Sequence, residues 1–160
     1  MRLFAQNVDD LLERAGCTDV VHLHGSLLDG HCRACGHHWH IGYAELSPRA
    51  ICPKCTSHET KPGIVMFGEE APLYAELHKI FSRSRDDLIL VIGTSGNVIP
   101  FEYVVGNRRS TDRSYTVLNN LERDPDIPYH QYFDKVIFKP ATEACEDLMA
   151  VVDSWISRKG

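Results

Sequence analysis

Hydrophobic positions along the chain follow strand spacing and helix spacing in turn. Residues 88–92 read LILVI, an uninterrupted apolar run typical of strands buried on both faces of a parallel sheet. Shorter apolar runs predict further strands at 20–23, 63–67, 114–118 and 135–138. Helices are predicted at 7–16, 72–81 and 142–157, where apolar residues recur every three or four positions. Strands that alternate with helices predict an α/β fold with a parallel sheet.

The periodic pattern fades over residues 31–62, where Cys, His, Gly and Pro dominate. Such a composition is typical of a small module held together by a metal ion. We therefore predict two parts, an α/β domain formed by residues 1–30 and 63–160 and a metal-binding module formed by residues 31–62.

Four cysteines in the module have the spacing C-x2-C-x16-C-x2-C: Cys32, Cys35, Cys52 and Cys55. Two residues between cysteines let both sulfurs reach one ion from a single turn, and two such pairs complete a tetrahedron around zinc. Four protein ligands leave no open position, which indicates a structural site. Two disulfides or a redox pair are the alternatives for the same spacing, and the neighbouring histidines are possible substitute ligands that the simplest count does not need.

Composition limits the classes of function. The chain has 160 residues, of which 43% are hydrophobic and 24% charged, as in an ordinary globular protein. Its net charge of −5 gives no electrostatic reason to bind nucleic acid or an anionic membrane. No apolar run approaches the roughly 18–20 residues that span a bilayer, and residues 1–7 lack the apolar h-region expected of a signal peptide. Paired cysteines without such a signal favour the cytoplasm.

Three short segments carry candidate chemistry when they are considered alone. His24 follows a predicted strand, at the strand end where open α/β sheets often place catalytic groups. Asn7 and Thr142 are candidate N-caps of the first and last helices. Residues 93–96 read GTSG after a buried strand, a turn whose backbone N–H groups suit phosphate or ribose contacts. Each signal alone is weak, since a strand-end histidine or a helix cap is common without catalysis.

Taken together and in order, these segments resemble the sirtuin (Sir2) family of NAD-dependent protein-lysine deacylases. The matching segments are QNVD at 6–9, LHGS at 23–26, the two cysteine pairs, KPGIVMFGE at 61–69, IGTSG at 92–96 followed by Pro100, NLE at 120–122 and PA at 140–141. The resemblance covers nearly the whole chain. It implies that the α/β domain is Rossmann-like, with the zinc module as an insert.

The resemblance also implies a reaction and the residues that perform it. In sirtuins the acyl oxygen of an acylated lysine attacks the C1′ atom of the NAD ribose, nicotinamide leaves, and the acyl group is transferred to ADP-ribose. His24 matches the general base, whose ordinary pKa of about 6.5 suits proton uptake near neutral pH. By the same resemblance, Asn7 is a second catalytic residue. The implied NAD contacts are Gln6, Asn7, Asp9, His24, Gly93, Thr94, Ser95, Asn120 and Ala141.

The substrate of this family is an acylated lysine in a protein or peptide. By resemblance, Val65, Phe67, Gly68 and Glu69 bind the peptide from one side, and Asn97 and Val98 bind it from the other. The peptide would add as an extra strand through main-chain hydrogen bonds. Phe67 would form a wall of the acyl-lysine tunnel.

Sirtuins open with a strand and a Gly-Ala-Gly turn that have no counterpart before Gln6. We therefore expect an incomplete Rossmann-like sheet with an uncovered apolar face, and self-association through that face. The chain would be a truncated product, a fragment, or half of an assembly completed by another chain. The alternative function is an inactive sirtuin fragment that acts, if at all, as a zinc-bearing module for binding a peptide or a partner.

Overall fold

Both parts of the chain contain parallel strands, and the first part also contains an antiparallel sheet. The computed structural model describes residues 1–44, 46–47, 50–81, 86–101, 105 and 114–158. The chain divides into two compact units, Met1–Glu76 and Leu77–Gly160. Each unit is described by itself below, and the division into 1–30 with 63–160 and 31–62 stays a prediction.

The first unit begins with a β-α-β arrangement. Strand β1 (Leu3–Ala5) pairs in parallel with β2 (Val20–His22), and α1 (Leu11–Arg14) lies between them in sequence. The helix predicted over residues 7–16 is therefore only four residues long. The prediction that Asn7 caps it is wrong, because the cap position falls at Asp10, and the Asp9 carboxylate accepts the Leu11 N–H at 3.1 Å.

A three-stranded antiparallel sheet follows in the first unit. Strands β3 (Gly25–Cys32), β4 (His38–His40) and β5 (Thr60–Ile64) are arranged in the order β4-β3-β5. The strand predicted at 63–67 lies about three residues earlier, since the chain leaves the sheet after Ile64. Gly25 and Gly63 approach so closely that a Cβ atom on Gly25 would lie 2.1 Å from the Gly63 carbonyl oxygen. Glycine is therefore required at this crossing.

Helix α2 (Tyr74–Phe81) contains the division between the two units, and the second unit continues with a parallel sheet. Strands β6 (Leu88–Ile92), β7 (Tyr115–Asn120) and β8 (Lys135–Phe138) are arranged in the order β6-β7-β8, all parallel. The strand predicted at 88–92 is confirmed at both ends.

Helix α3 (Cys145–Ser157) follows this sheet and starts later than residue 142. Thr142 does not cap it, because residues 140–144 form a turn in which the Pro140 carbonyl accepts the N–H groups of Glu143 and Ala144.

The central strand β7 supplies the core of the second unit on both faces. Leu118 packs in one cluster with Phe101, Val105, Tyr129 and Phe133. On the opposite face, Val117 packs with Ile137, Ala144, Leu148 and Val151. The α/β class and the parallel sheet are therefore confirmed. Among the described residues, no helix is both long enough and apolar enough to cross a membrane.

Candidate NAD and zinc sites

The four predicted metal ligands converge in the first unit. Their sulfur atoms all lie within 4.8 Å of one another. The Cys32 and Cys55 sulfurs are 3.6 Å apart, and those of Cys35 and Cys52 are 3.7 Å apart. Disulfide sulfurs would be about 2.05 Å apart, so the disulfide alternative is wrong and all four are free thiols.

These distances fit a zinc ion. Ligands at a Zn–S distance of about 2.3 Å in a tetrahedron have neighbouring sulfurs about 3.8 Å apart. Burial raises the pKa of Cys52, but hydrogen bonds from backbone N–H groups and neighbouring thiols have the larger effect. The net result is a pKa lowered to about 7. A thiolate, the form that binds metal, is therefore accessible near neutral pH. In the described residues the group holds four cysteines and no histidine.

His24 lies just beyond β2 and is held through both ring nitrogens. Its Nδ1 lies 2.7 Å from the Gln6 carbonyl oxygen, and its Nε2 contacts the Tyr74 hydroxyl. A carbonyl oxygen only accepts hydrogen bonds, so Nδ1 carries the proton and donates it. In the neutral ring, Nε2 then accepts from the Tyr74 hydroxyl. This tautomer presents a proton acceptor at Nε2.

The other predicted NAD residues of the first unit surround β1 and α1. Gln6 positions His24 through its carbonyl group. Burial raises the pKa of Tyr74, so the phenol stays protonated. The Asn7 carbonyl oxygen lies 3.2 Å from His22 Nδ1. The Asp9 carboxylate accepts the Leu11 N–H at the start of α1.

In the second unit the predicted NAD residues follow the carboxyl ends of the parallel strands. Gly93 comes directly after β6 with a positive φ of 68°, and its N–H donates to the Asn119 carbonyl oxygen. The Asn120 amide donates to the Thr94 carbonyl oxygen at 2.8 Å, which joins the loop after β6 to the end of β7. Ser95 accepts the N–H of Asn97, and Ala141 is exposed beyond β8. Open α/β sheets bind ligands outside this strand edge.

The predicted peptide-binding residues fall in both units. Val65 donates its N–H to the His24 carbonyl oxygen at 2.8 Å, and Gly68 has a positive φ of 84°. The Phe67 side chain is fully exposed. In the second unit, Asn97 and Val98 are exposed in the loop after β6. The structure thus brings Val65 to His24 within the first unit.

The Glu69 carboxylate is engaged in hydrogen bonds within the first unit. It accepts hydrogen bonds from Lys61, Arg33 and the Met66 N–H. The bond from Lys61 is the largest cause that holds the pKa of Glu69 down at about 2, followed by the Met66 N–H.

Comparison with known proteins decides the family. A family model described as the Sir2 family matches residues 1–100. The NAD-dependent protein deacylase of Helicobacter hepaticus is 46% identical over 145 residues, which cover 89% of this chain. The chain belongs to the Sir2 family. A second sirtuin, the NAD-dependent protein deacylase of Campylobacter jejuni, is 39% identical over 96% of this chain.

Solved sirtuin structures agree with this assignment. A Sir2 homolog in complex with NAD has a TM-score of 0.76 and 31% sequence identity to this chain. The aligned region covers 96% of this chain and 59% of the homolog. A Sir2 structure with a p53 peptide and NAD+ has a TM-score of 0.71 and 25% identity, over 96% of this chain and 63% of that one. The chain spans 56% of the length of the Helicobacter relative and 62% of the Campylobacter one.

Sequence reasoning did not find Tyr74, Lys61 and Arg33. Tyr74 is 50 positions from His24, and Arg33 is 36 positions from Glu69, so no local spacing signals either contact. Lys61 is 8% exposed, and a lysine this deeply buried needs a partner. Its position at the start of KPGIVMFGE is the only signal in the sequence.

Proposed function

We propose that the chain provides the catalytic histidine, the NAD contacts and the peptide-binding segment of an NAD-dependent protein-lysine deacylase. NAD supplies the ADP-ribosyl acceptor and nicotinamide as the leaving group. The chain's own residues orient the acyl-lysine and move a proton. Its relatives are named NAD-dependent protein deacylases, which supports this assignment.

The observation that carries the proposal is the tautomer of His24, which has its proton on Nδ1 and an acceptor at Nε2. The Gln6 carbonyl fixes the proton on Nδ1, so Nε2 accepts a hydrogen bond from a hydroxyl group, here that of Tyr74. A ribose hydroxyl has the same donor chemistry. We infer that it replaces the Tyr74 hydroxyl at Nε2, and that His24 then takes up its proton as a general base.

The substrate side of the proposal rests on Val65 and the residues after it. The hydrogen bond from Val65 to the His24 carbonyl sets the peptide-binding segment beside the base. An acylated lysine peptide is the substrate class, as the Sir2 structure with a p53 peptide supports. The free cysteines fit a reducing compartment, and we propose the cytoplasm.

The alternative, a zinc-bearing module that binds a peptide without turnover, shares the cysteine cluster and the 64–69 segment. The two functions separate when an acetyl-lysine peptide is incubated with the protein, with and without NAD, and its mass is followed. Loss of the acetyl group only in the presence of NAD supports the deacylase. Peptide binding with no change in mass under either condition supports the binding module and contradicts the enzyme.

A further inference from the structure

Glu69 joins the peptide-binding segment, residues 64–69, to the zinc module. Its Oε1 accepts from Arg33 at 3.2 Å, and its Oε2 accepts from Lys61 at 2.5 Å. Arg33 lies between two of the predicted zinc ligands, Cys32 and Cys35. One carboxylate is thus bonded both to a zinc knuckle and to β5.

The same carboxylate holds the backbone of the segment. Its Oε2 accepts the Met66 N–H at 3.0 Å, and the Glu69 N–H donates to the Met66 carbonyl oxygen. Lys61 also donates to the Ile64 carbonyl oxygen at 2.6 Å. Two charged side chains therefore fix the segment near its beginning and in its middle.

Because Lys61 is buried, the loss of its partner Glu69 is costly. The Lys61 side chain is 9% exposed and that of Glu69 is 32% exposed. Removing one partner of a buried ion pair leaves an uncompensated charge, so loss of the Glu69 carboxylate destabilises the geometry around Lys61. Arg33 is 55% exposed, so its bond to Glu69 is weaker.

The segment keeps main-chain groups for a ligand at its other positions. Val65 and Met66 use their N–H groups within the protein, through His24 and Glu69. In the described part of the chain, the N–H and carbonyl groups of Phe67 and Gly68 form no such bond. These are the positions from which an added peptide strand would take its main-chain hydrogen bonds.

We propose that Glu69 is a positioning residue: its carboxylate fixes residues 64–69 to the zinc module through Lys61 and Arg33 and does not contact the peptide. The peptide-binding edge then has its shape before the peptide arrives, which lowers the ordering cost of binding. This inference rests on the proposed function for the identity of the ligand only.

The test compares Glu69→Gln with Glu70→Gln, which removes the neighbouring exposed carboxylate. Amide hydrogen exchange of residues 64–69, zinc content and affinity for a fluorescent acetyl-lysine peptide are measured. Glu69→Gln is expected to keep its zinc while exchange at Met66 rises and peptide affinity falls, each about tenfold, since a charged hydrogen bond is lost. Glu70→Gln should match the wild type.

The milder variant Arg33→Gln keeps the test decisive if Glu69→Gln does not fold. Loss of this partly exposed ion pair should raise exchange at Met66 about two- to fivefold, and Lys54→Gln on the other knuckle should not. Unchanged exchange in either Glu69→Gln or Arg33→Gln overturns the proposal. So does a fall in peptide affinity at unchanged exchange, which would make Glu69 a direct contact. A wild-type protein that binds no peptide contradicts the proposed function, while the exchange result still decides the role of Glu69.

Discussion

At the scale of single residues, His24 is the group on which the proposed chemistry depends. His24→Ala removes the proton acceptor at Nε2, and we expect the rate of deacylation to fall by about 10²–10⁴-fold, the usual contribution of a general base. NAD affinity should fall by no more than about tenfold, because binding loses only the one hydrogen bond to the ribose hydroxyl. Turnover by mass spectrometry and NAD titration by calorimetry measure the two effects. A variant that keeps most of its activity would remove His24 from the mechanism.

His22 forms a second histidine contact, with a defined pH dependence. Partial burial alone would lower the pKa of His22, but hydrogen bonds to Glu13 and to the Asn7 carbonyl raise it above 6.5. The same bond lowers the pKa of Glu13 below 4.5. The stabilisation from His22 is complete below pH 6.5 and is lost as the pH rises through the pKa of His22 in the folded state. That from Glu13 is complete above 4.5 and is lost as pH falls through its folded pKa.

The His22–Glu13 pair therefore stabilises the folded state fully between about pH 4.5 and pH 6.5. We expect an NMR titration to place the pKa of His22 above 6.5, and Glu13→Gln to lower it, since burial then acts with less opposition. Glu122→Gln, at an exposed site elsewhere, is the control and should leave the pKa unchanged. An identical His22 titration in both variants would show that the ion pair does not form.

Residue-level prediction succeeded where the spacing itself encodes the contact. Two residues between cysteines suffice to bring Cys32 and Cys35 to one point, and the structure confirms the cluster. The His24–Tyr74 contact depends on where α2 starts relative to β2, which no local pattern specifies. Contacts of this kind follow only from the assembled fold.

At the scale of elements, the zinc cluster should hold the β4-β3-β5 sheet together. Cys32 ends β3, and Cys52 lies between β4 and β5, so the ion closes the module. We expect one zinc per chain by elemental analysis. Cys32→Ser should lose the metal and unfold residues 25–64, because binding of structural zinc is coupled to folding.

Cys145→Ser is the matched control for this prediction, since Cys145 is a free thiol outside the cluster at the start of α3. It should retain both the zinc and the exchange protection of the sheet. Well under one equivalent of zinc in the wild-type protein, or equal zinc in both variants, would contradict the metal assignment.

The elements differ in how well the sequence predicts them. The strand at 88–92 is predicted correctly because a short unbroken apolar run is typical of a strand that is buried on both faces of a parallel sheet. Strand β3 was missed because Asp29, Gly30 and His31 give no apolar alternation. Its stability comes from backbone pairing and the nearby cysteines, and a hydrophobic pattern does not record either.

At the scale of the whole molecule, strand β6 is the feature that favours self-association. Among the described strands it pairs with β7 only, which leaves its other edge open. Leu90 and Ile92 are 36% and 49% exposed, and they point to the same face because side chains alternate along a strand. An open edge with an exposed apolar face promotes association.

We therefore expect the average mass from light scattering to rise with protein concentration. Leu90→Lys should reduce this rise, because the exposed face then carries a charge. Ile156→Lys, which changes an exposed apolar residue on α3, should not reduce it. A monomer at every concentration for the wild-type protein would contradict the expectation.

The most direct test of the central claim is a mass balance of the complete reaction. An acetyl-lysine peptide and NAD are incubated with the protein, and nicotinamide, deacetylated peptide and acetylated ADP-ribose are quantified in the same sample. An acyl transfer to ADP-ribose predicts that the three products appear in equal amounts and that none of them forms with His24→Ala. Deacetylated peptide without nicotinamide, or no product at all from the wild-type protein, would contradict the account.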